Sequence, residues 1–488
     1  MLPGVAMHGI VSRSGKGVYA SSDRLYKGAI FGRDSLEVAE DLMTIRPKLV
    51  RDVLVTLAVL QGNKSDELNE EELGKIVHEY RNVVVDGHKI DDVSLNIFKE
   101  LSVKWGGNEQ EMAYYGSIDS TPHFIKVLSD YCKIYGYDFL DYKITTKNGQ
   151  HTNMREVAKL SMTWLVSKLN ESRSGLLEYR KKNPKGISNQ VWKDSEEFYV
   201  YETGESVNHE QPIASIEVQG LAYDALIGAS LMFGDDLRLY IEIAKKLRSK
   251  TFSSLWDSNK KQFALGLNYD AQGMVKVINT LSANQAALLD SSIFDDLDVD
   301  ERYEYIESIV NAMFGKEFLT DAGIRSRSLQ AADLVDHWDY HGSFVSWPKE
   351  TYDIAKGLRR QGLPKLARQL ENRILNVCMR YKAYPEFVYV DGEGHVLASP
   401  PTKKTNGDFI YISGTNQPEH VQAWTLSAVT AIISGRVKNK LKIYKKYKQN
   451  ERYALLEKNI MSSTKQVNRY FNPVALRLKY PNYRYKIK

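Results

Sequence analysis

The chain has 488 residues, 43% of them hydrophobic and 26% charged, with a formal net charge of +5; this excludes a disordered or collagenous chain and leaves an ordinary soluble globular protein. Two cysteines, Cys132 and Cys378, allow at most one bridge and have no metal-type spacing around them, so a reducing compartment is expected. The apolar run from Met1 to Val11 is broken by Pro3, Gly4 and His8, and no later stretch approaches the roughly 18 apolar residues of a membrane span, so the expected location is cytoplasmic.

Helical periodicity dominates from the N-terminal side onward. Leu49-Val50, Val53-Leu54, Leu57-Ala58 and Leu60 recur at three- and four-residue steps, as do Phe124, Val127-Leu128, Tyr131 and Tyr135. The same pattern predicts helices over Val157 to Leu169, Val218 to Met232, Leu237 to Leu255, Tyr303 to Phe314, Tyr352 to Leu363, Leu366 to Tyr381 and Val421 to Ile433. Strand-like runs are few and short; Phe387 to Val390 is one, ending in the turn Asp391-Gly392. The segment Glu393 to Thr415, with Pro400, Pro401 and Gly407, reads as a surface loop able to serve as a rim or lid.

Polar clusters stand at helix entrances at long, recurring intervals. They are Gly32 to Ser35, Gly116 to Ser120, Asn189 to Ser195 with Glu217, Ser282 to Gln285, Tyr340 to Ser343, and Pro418 to Trp424. Six inner helices inside six outer ones make an all-α (α/α)6 toroid with short β-hairpin excursions in its loops, in which the six polar entrances converge on one mouth. Met1 to Gly435 has no linker-like break, so residues 1–435 are expected to form this one domain. The extension 436–488 carries sixteen Lys and Arg against Glu451 and Glu457, about +14, leaving about −9 for the rest. With seven tyrosines it reads as a solvated basic face packed partly on the body, and nucleic acid is not an expected partner.

Two carboxylates have the company that glycosidic cleavage requires. Asp194 follows Trp192 and the amides Asn189 and Gln190; Glu386 stands behind Pro385, between Tyr384 and Phe387. Cleavage needs a proton for the leaving oxygen and a nucleophile or activated water, hence two carboxyls with separated pKa values. The tryptophan beside Asp194 suits the general acid and leaves Glu386 as the base. Arg33, Asp34 and Asp119 offer directional hydrogen bonds to sugar hydroxyls, and His341, Trp347, Gln422 and Trp424 add stacking and amide contacts. No phosphate-binding glycine loop and no His-Glu-x-x-His occurs, and the ten histidines do not cluster. The acidic run Asp295 to Glu301 lacks the glycine and spacing of a calcium loop and reads as a helix start. Neither metal nor cofactor is expected.

Several segments together resemble the amylo-alpha-1,6-glucosidase domain of glycogen debranching enzymes and related (α/α)6-barrel glycosidases. They are Gly32-Arg33-Asp34-Ser35, Gly74 to Arg81, Tyr114 to Pro122, Trp192-Lys193-Asp194-Ser195, Pro385-Glu386-Phe387 and Gln422-Ala423-Trp424, in the family's order over about residues 25–435. The resemblance implies an inverting mechanism without a metal at the chemical step, with the acid at Asp194 and the base at Glu386. Tyr115, Gln190, Trp192, Lys193 and Glu217 complete the expected substrate-binding set. The chain departs from the family at Val191, where relatives usually have glycine, and at His341 to Pro348. Glycogen-acting members often carry an N-terminal β-rich domain, whereas the helical pattern here starts near Met1. The expected substrate is therefore an oligosaccharide, α-glucan or shorter α-glucoside, with a mannoside or an idle carbohydrate-binding scaffold as alternatives.

Overall fold

The computed structural model describes residues 3–234, 237–335, 340–397, 401–403, 409–411, 417–438 and 450–467. Its helices are α1 (Pro3–Ile10), α2 (Gly32–Leu42), α3 (Pro47–Val59), α4 (Asp92–Trp105), α5 (Ser120–Tyr135), α6 (Met154–Glu171), α7 (Ile216–Met232), α8 (Leu237–Leu255), α9 (Val299–Met313), α10 (Pro348–Arg360), α11 (Pro364–Tyr381), α12 (Ala423–Lys438) and α13 (Glu451–Ser463).

Each start follows from local chemistry. Proline occupies the first turn of α3, α10 and α11, where its missing amide costs no hydrogen bond. Asp91, Asn153 and Asp298 cap α4, α6 and α9 by accepting from backbone amides, the last of these confirming that Asp295 to Glu301 is a helix start.

The packing order closes a ring. Going round, α2 packs on α5, α5 on α7, α7 on the 3-10 helix Ala283–Asp290, that turn on α10, α10 on α12, and α12 back on α2. Outside them, α3 lies against α2, α6 against α5, α8 against α7, α9 against the 3-10 helix, α11 against α10, and α1 against α12. The burial pattern agrees: α7 buries thirteen of its seventeen residues, as an element enclosed on all sides must, whereas α9 buries five of fifteen along one stripe. Glycines permit the close approaches: a Cβ at Gly357 on α10 would stand 2.6 Å from Cβ of Leu289 on the 3-10 helix, and one at Gly228 on α7 2.8 Å from Cβ of Ser129 on α5.

One inner element differs from expectation. The cluster Ser282 to Gln285 opens an eight-residue 3-10 helix rather than a long amphipathic one. Its polar side chains are engaged elsewhere in the fold: Gln285 accepts from the Phe263 amide at 3.1 Å, Asn284 bonds Lys193 and Glu217, and the C-capping Ser291 accepts from the Ile293 amide.

The short strands fasten the inner helices at their entrances. Ile30–Phe31 pairs with Glu79–Asn82, which pairs with Glu111–Tyr114, immediately before α2. Ala214–Ser215 pairs with Gly266–Tyr269 before α7, and Val345–Ser346 pairs with Val388–Tyr389 before α10. Tyr384 bridges Val421 before α12. All these pairings anchor the mouth of the ring.

Of the expected rim loop, the described parts are Glu393 to Leu397 and the paired strands Pro401–Lys403 and Phe409–Tyr411; the remainder lies outside the described residues. The same holds for most of the basic extension. Its described parts are residues 436–438, which end α12, and residues 450–467, which pack on α11, where buried Glu457 accepts from the amides of Lys365 and Leu366 at 2.5 and 3.3 Å. Cys132 and Cys378 are both free and buried. Among the described residues no helix is long and apolar enough to cross a membrane.

Gly32 is a tight joint at the mouth, since a Cβ there would stand 2.1 Å from the carbonyl oxygen of Val77 and 3.2 Å from Cβ of Ser120. Gly32→Ala is expected to lower unfolding free energy by about 1–3 kcal/mol in a urea titration; an unchanged midpoint would show that this joint tolerates displacement.

Candidate active site

The anchored entrances surround a cleft of about 380 Å³. The first turn of α2 supplies Arg33 and Asp34, the loop ahead of α7 supplies Trp192 and Asp194, and the approach to α10 supplies His341 and Trp347. Glu386 enters from the link after α11, and Gln422 and Trp424 from the start of α12. The two carboxylates proposed from sequence thus line one cavity although 192 positions separate them.

Each carboxyl has a distinct setting. Arg33 forks onto Asp119, with Nε donating to Oδ2 at 2.7 Å and Nη2 to Oδ1 at 3.3 Å, while its Nη1 lies 3.8 Å from Oδ2 of Asp194. Glu386 is buried and held at both oxygens: the Tyr340 hydroxyl donates to Oε1, and the Glu419 amide donates to Oε2 at 3.0 Å. Asp34 accepts from Gln422 Nε2 at 3.2 Å. Burial pushes Asp194 up to about 6 against the pull of Arg33. It pushes Asp34 up to about 7 against Arg33 and Lys349, and Glu386 up to about 8 against its two hydrogen bonds.

Ranked by these shifts alone, Glu386 would keep the proton. The hydrogen bonds favour the opposite assignment, because both Glu386 oxygens are acceptors, whereas Asp194 is the more exposed group, its side chain 31% accessible toward the cleft. A base of higher pKa and an acid of lower pKa also make a more reactive pair, at the cost of a smaller population in the productive form.

Aromatic faces wall the cleft. Trp192 stands edge-to-face with Trp347 (4.8 Å, 87°), Trp424 (5.5 Å, 78°) and His341 (5.0 Å, 78°), and His341 stacks on Trp347. Such rigid apolar planes suit the C–H faces of a pyranose. Burial holds the His341 imidazole well below its usual pKa, and Ser195 Oγ lies 2.9 Å from its Nδ1.

Five expected site residues do not line this cleft. Tyr115 is buried and donates its hydroxyl to the Leu60 carbonyl at 2.8 Å; Gln190 donates to Glu70. Asp119 acts through Arg33. Lys193 turns away into a buried ion pair with Glu350, and Glu217 accepts from Asn284 Nδ2 at 2.9 Å. Asp119 and Glu217 instead line a second cavity of about 810 Å³ farther down the ring, which shares Arg33 and Trp192 with the cleft. There Glu37, Glu40 and His123 approach closely enough to hold a metal ion, but Lys349 already pairs with Glu37 at 2.9 Å and Lys126 with Glu40, so ammonium groups supply the local positive charge.

Sequence reasoning missed Tyr26, Phe31, His78 and Tyr340, all of which line the cleft. Tyr340 lies beside His341 in a cluster already noted, and His78 lies in a segment noted for its family likeness; Tyr26 and Phe31 shortly precede or adjoin Gly32. Only the fold reveals which of these neighbours face inward.

No protein-family model matches the chain, and no curated protein matches it. Solved structures do. A GH63 mannosylglycerate hydrolase from Thermus thermophilus in complex with glucose aligns over 88% of this chain and 99% of its own, with a TM-score of 0.54 and 13% identity. The chain shares a glycosidase fold. A structure of that hydrolase with Tris gives 0.51 at 14% identity, and an uncharacterized conserved protein from the same organism gives 0.52 at 13%, each with the same coverage.

The site generates a pH dependence whose sign is fixed. The productive form carries one proton shared out between Asp194 and Glu386, so kcat/KM on a glycoside should fall below about pH 6, where both are protonated, and above about pH 8, where both are ionised. A pH–rate profile with no acid limb would contradict this pairing.

Proposed function

We propose that the protein is a glycoside hydrolase that cleaves a small α-linked glycoside with inversion. The observation that carries this reading is the convergence of Asp194 and Glu386, from remote segments, on one tryptophan-walled cleft. The glycosidase fold shared with a mannosylglycerate hydrolase supports it. In this reading the closed helical ring is an (α/α)6 toroid.

Asp194 gives its proton to the leaving oxygen, and the carboxylate that results is stabilised by the Arg33 guanidinium at 3.8 Å. Glu386 takes a proton from water on the opposite ring face. Each carboxylate oxygen can accept more than one hydrogen bond, so Tyr340 and the Glu419 amide leave Glu386 room to orient that water. Burial then favours the neutral acid that Glu386 becomes. Arg33, Asp34 and Gln422 are placed to select ring hydroxyls.

The lining of the cleft favours a short substrate. Trp192, Trp347, Trp424 and Tyr340 wall it closely, which fits one sugar with a compact leaving group better than a branched glucan. An α-mannoside or α-glucoside of a small hydroxy acid or polyol is therefore the preferred substrate class. The sequence likeness to amylo-alpha-1,6-glucosidase domains sustains α-1,6-linked glucose as the second reading.

Asp194→Asn and Glu386→Gln should each lower kcat on an alkyl α-glycoside by about 10²–10⁴-fold. On an α-glycosyl fluoride, whose leaving group needs no proton, Asp194→Asn should regain turnover and Glu386→Gln should not. NMR of the wild-type reaction should detect the β-anomer first. Full activity of Asp194→Asn on the alkyl glycoside, or an α-anomer as first product, would exclude the assignment.

A further inference from the structure

Lys193 lies between two cleft residues yet turns the other way. Trp192 and Asp194 line the cleft, whereas the Lys193 side chain is wholly buried and does not. A solitary ammonium buried this deeply persists only with charged and polar partners close by, and Lys193 has three. Its Nζ pairs with Oε1 of Glu350, donates to Asn284 Oδ1 at 2.7 Å, and approaches the Ser326 carbonyl at 3.4 Å.

These partners sit on different parts of the ring. Glu350 lies in the first turn of α10 and also accepts from Ser326 Oγ at 2.8 Å; Asn284 lies on the inner 3-10 helix and passes the network on to Glu217 in the first turn of α7. A single side chain therefore ties the Asp194 backbone to three successive inner elements. The loop is also tied at Gln190, whose carbonyl accepts from the Ile118 amide at 2.8 Å, and at Ser195, whose carbonyl accepts from Asn189 Nδ2 at 2.7 Å and whose Oγ lies 2.9 Å from His341 Nδ1. The Asp194 side chain has one ion-pair contact, with Arg33 at 3.8 Å. Its distance from the leaving oxygen is set through the backbone by its neighbours, of which Lys193 alone reaches the floor through a buried charge.

We propose that Lys193 is a positioning residue, a buried clamp that fixes the proton-donating carboxyl of Asp194 against the floor of the ring and makes no contact with the sugar. This rests on the hydrolase reading above, and it replaces the substrate-binding role that the sequence assigns to Lys193. The clamp bears on proton delivery alone, because Glu386 is held by the Tyr340 hydroxyl and the Glu419 amide, neither of which contacts Lys193. A displaced acid should therefore slow reactions that need leaving-group protonation and spare those that do not.

The test is the double variant Lys193→Met/Glu350→Gln, which removes both charges together and so leaves neither buried without a partner. Its kcat on an alkyl α-glycoside should fall about a hundredfold with KM nearly unchanged, while kcat on an α-glycosyl fluoride should fall only a few-fold. Should the double variant fail to fold, Asn284→Ala, which keeps the Lys193–Glu350 ion pair and removes only the amide partner, is expected to give the same selective loss to a smaller degree. Equal losses on the two substrates, or a raised KM with kcat intact, would overturn the proposal. A wild-type protein inactive on both substrates would instead remove the hydrolase reading beneath it, and the two failures are thus distinguishable.

Discussion

The guanidinium of Arg33, buried at the axis of the ring, is the interaction on which the site depends. It forks onto Asp119 at the start of α5 and faces Asp194 on the loop before α7, so one cation connects three inner segments. Breaking such a pair from one side leaves an unpaired buried charge at a cost of about 3–5 kcal/mol, which gives the arrangement its rigidity. The same cation sets the chemistry. Burial and the nearby Asp119 charge push the Asp194 carboxyl up, and the guanidinium opposes them and gives the ionised carboxylate a partner.

Around this cation, the ring separates two kinds of polar environment. Toward the mouth, Glu386 and Asp34 are buried with mainly neutral donors as hydrogen-bond partners, and both are pushed upward. Toward the floor, lysines are interlaced with carboxylates: Lys349 with Glu37 and Asp353, and Lys356 with Asp41 and Asp353. The floor is a network of paired charges, in which burial nevertheless pushes Asp41, Glu217 and Asp290 upward as it does Glu386 and Asp34 at the mouth. Trp192 and Arg33 border both cavities and form the partition between them.

Much of this was legible in the sequence, for a physical reason. Amphipathic repeats specify helices whatever their tertiary setting, and the polar clusters at their entrances had to stay near a surface or a cavity. That Asp194 and Glu386 line the cleft agrees with their aromatic sequence neighbours, of which Trp192 is part of the same wall. Side-chain direction was not legible. Trp192, Lys193 and Asp194 are consecutive, yet the middle one points to the floor; Tyr115 and Gln190 belong to the right segments but satisfy buried groups at Leu60 and Glu70. Conversely, Tyr26 and Tyr340 reach the cleft although nothing in the residues around them shows which way their side chains point. The short helix Ala283–Asp290 escaped for a related reason, since its side chains serve backbone groups elsewhere in the fold.

The central claim is that one sugar ring binds between Asp194 and Glu386. A crystal structure of the protein with a glucose- or mannose-configured iminosugar tests it most directly. The ring should lie in the cleft against Trp192 and Trp424, with the two carboxyl groups about 6.5–9.5 Å apart, the spacing that leaves room for an attacking water. A separation of about 5–5.5 Å, or a ligand bound away from either carboxyl, would contradict it.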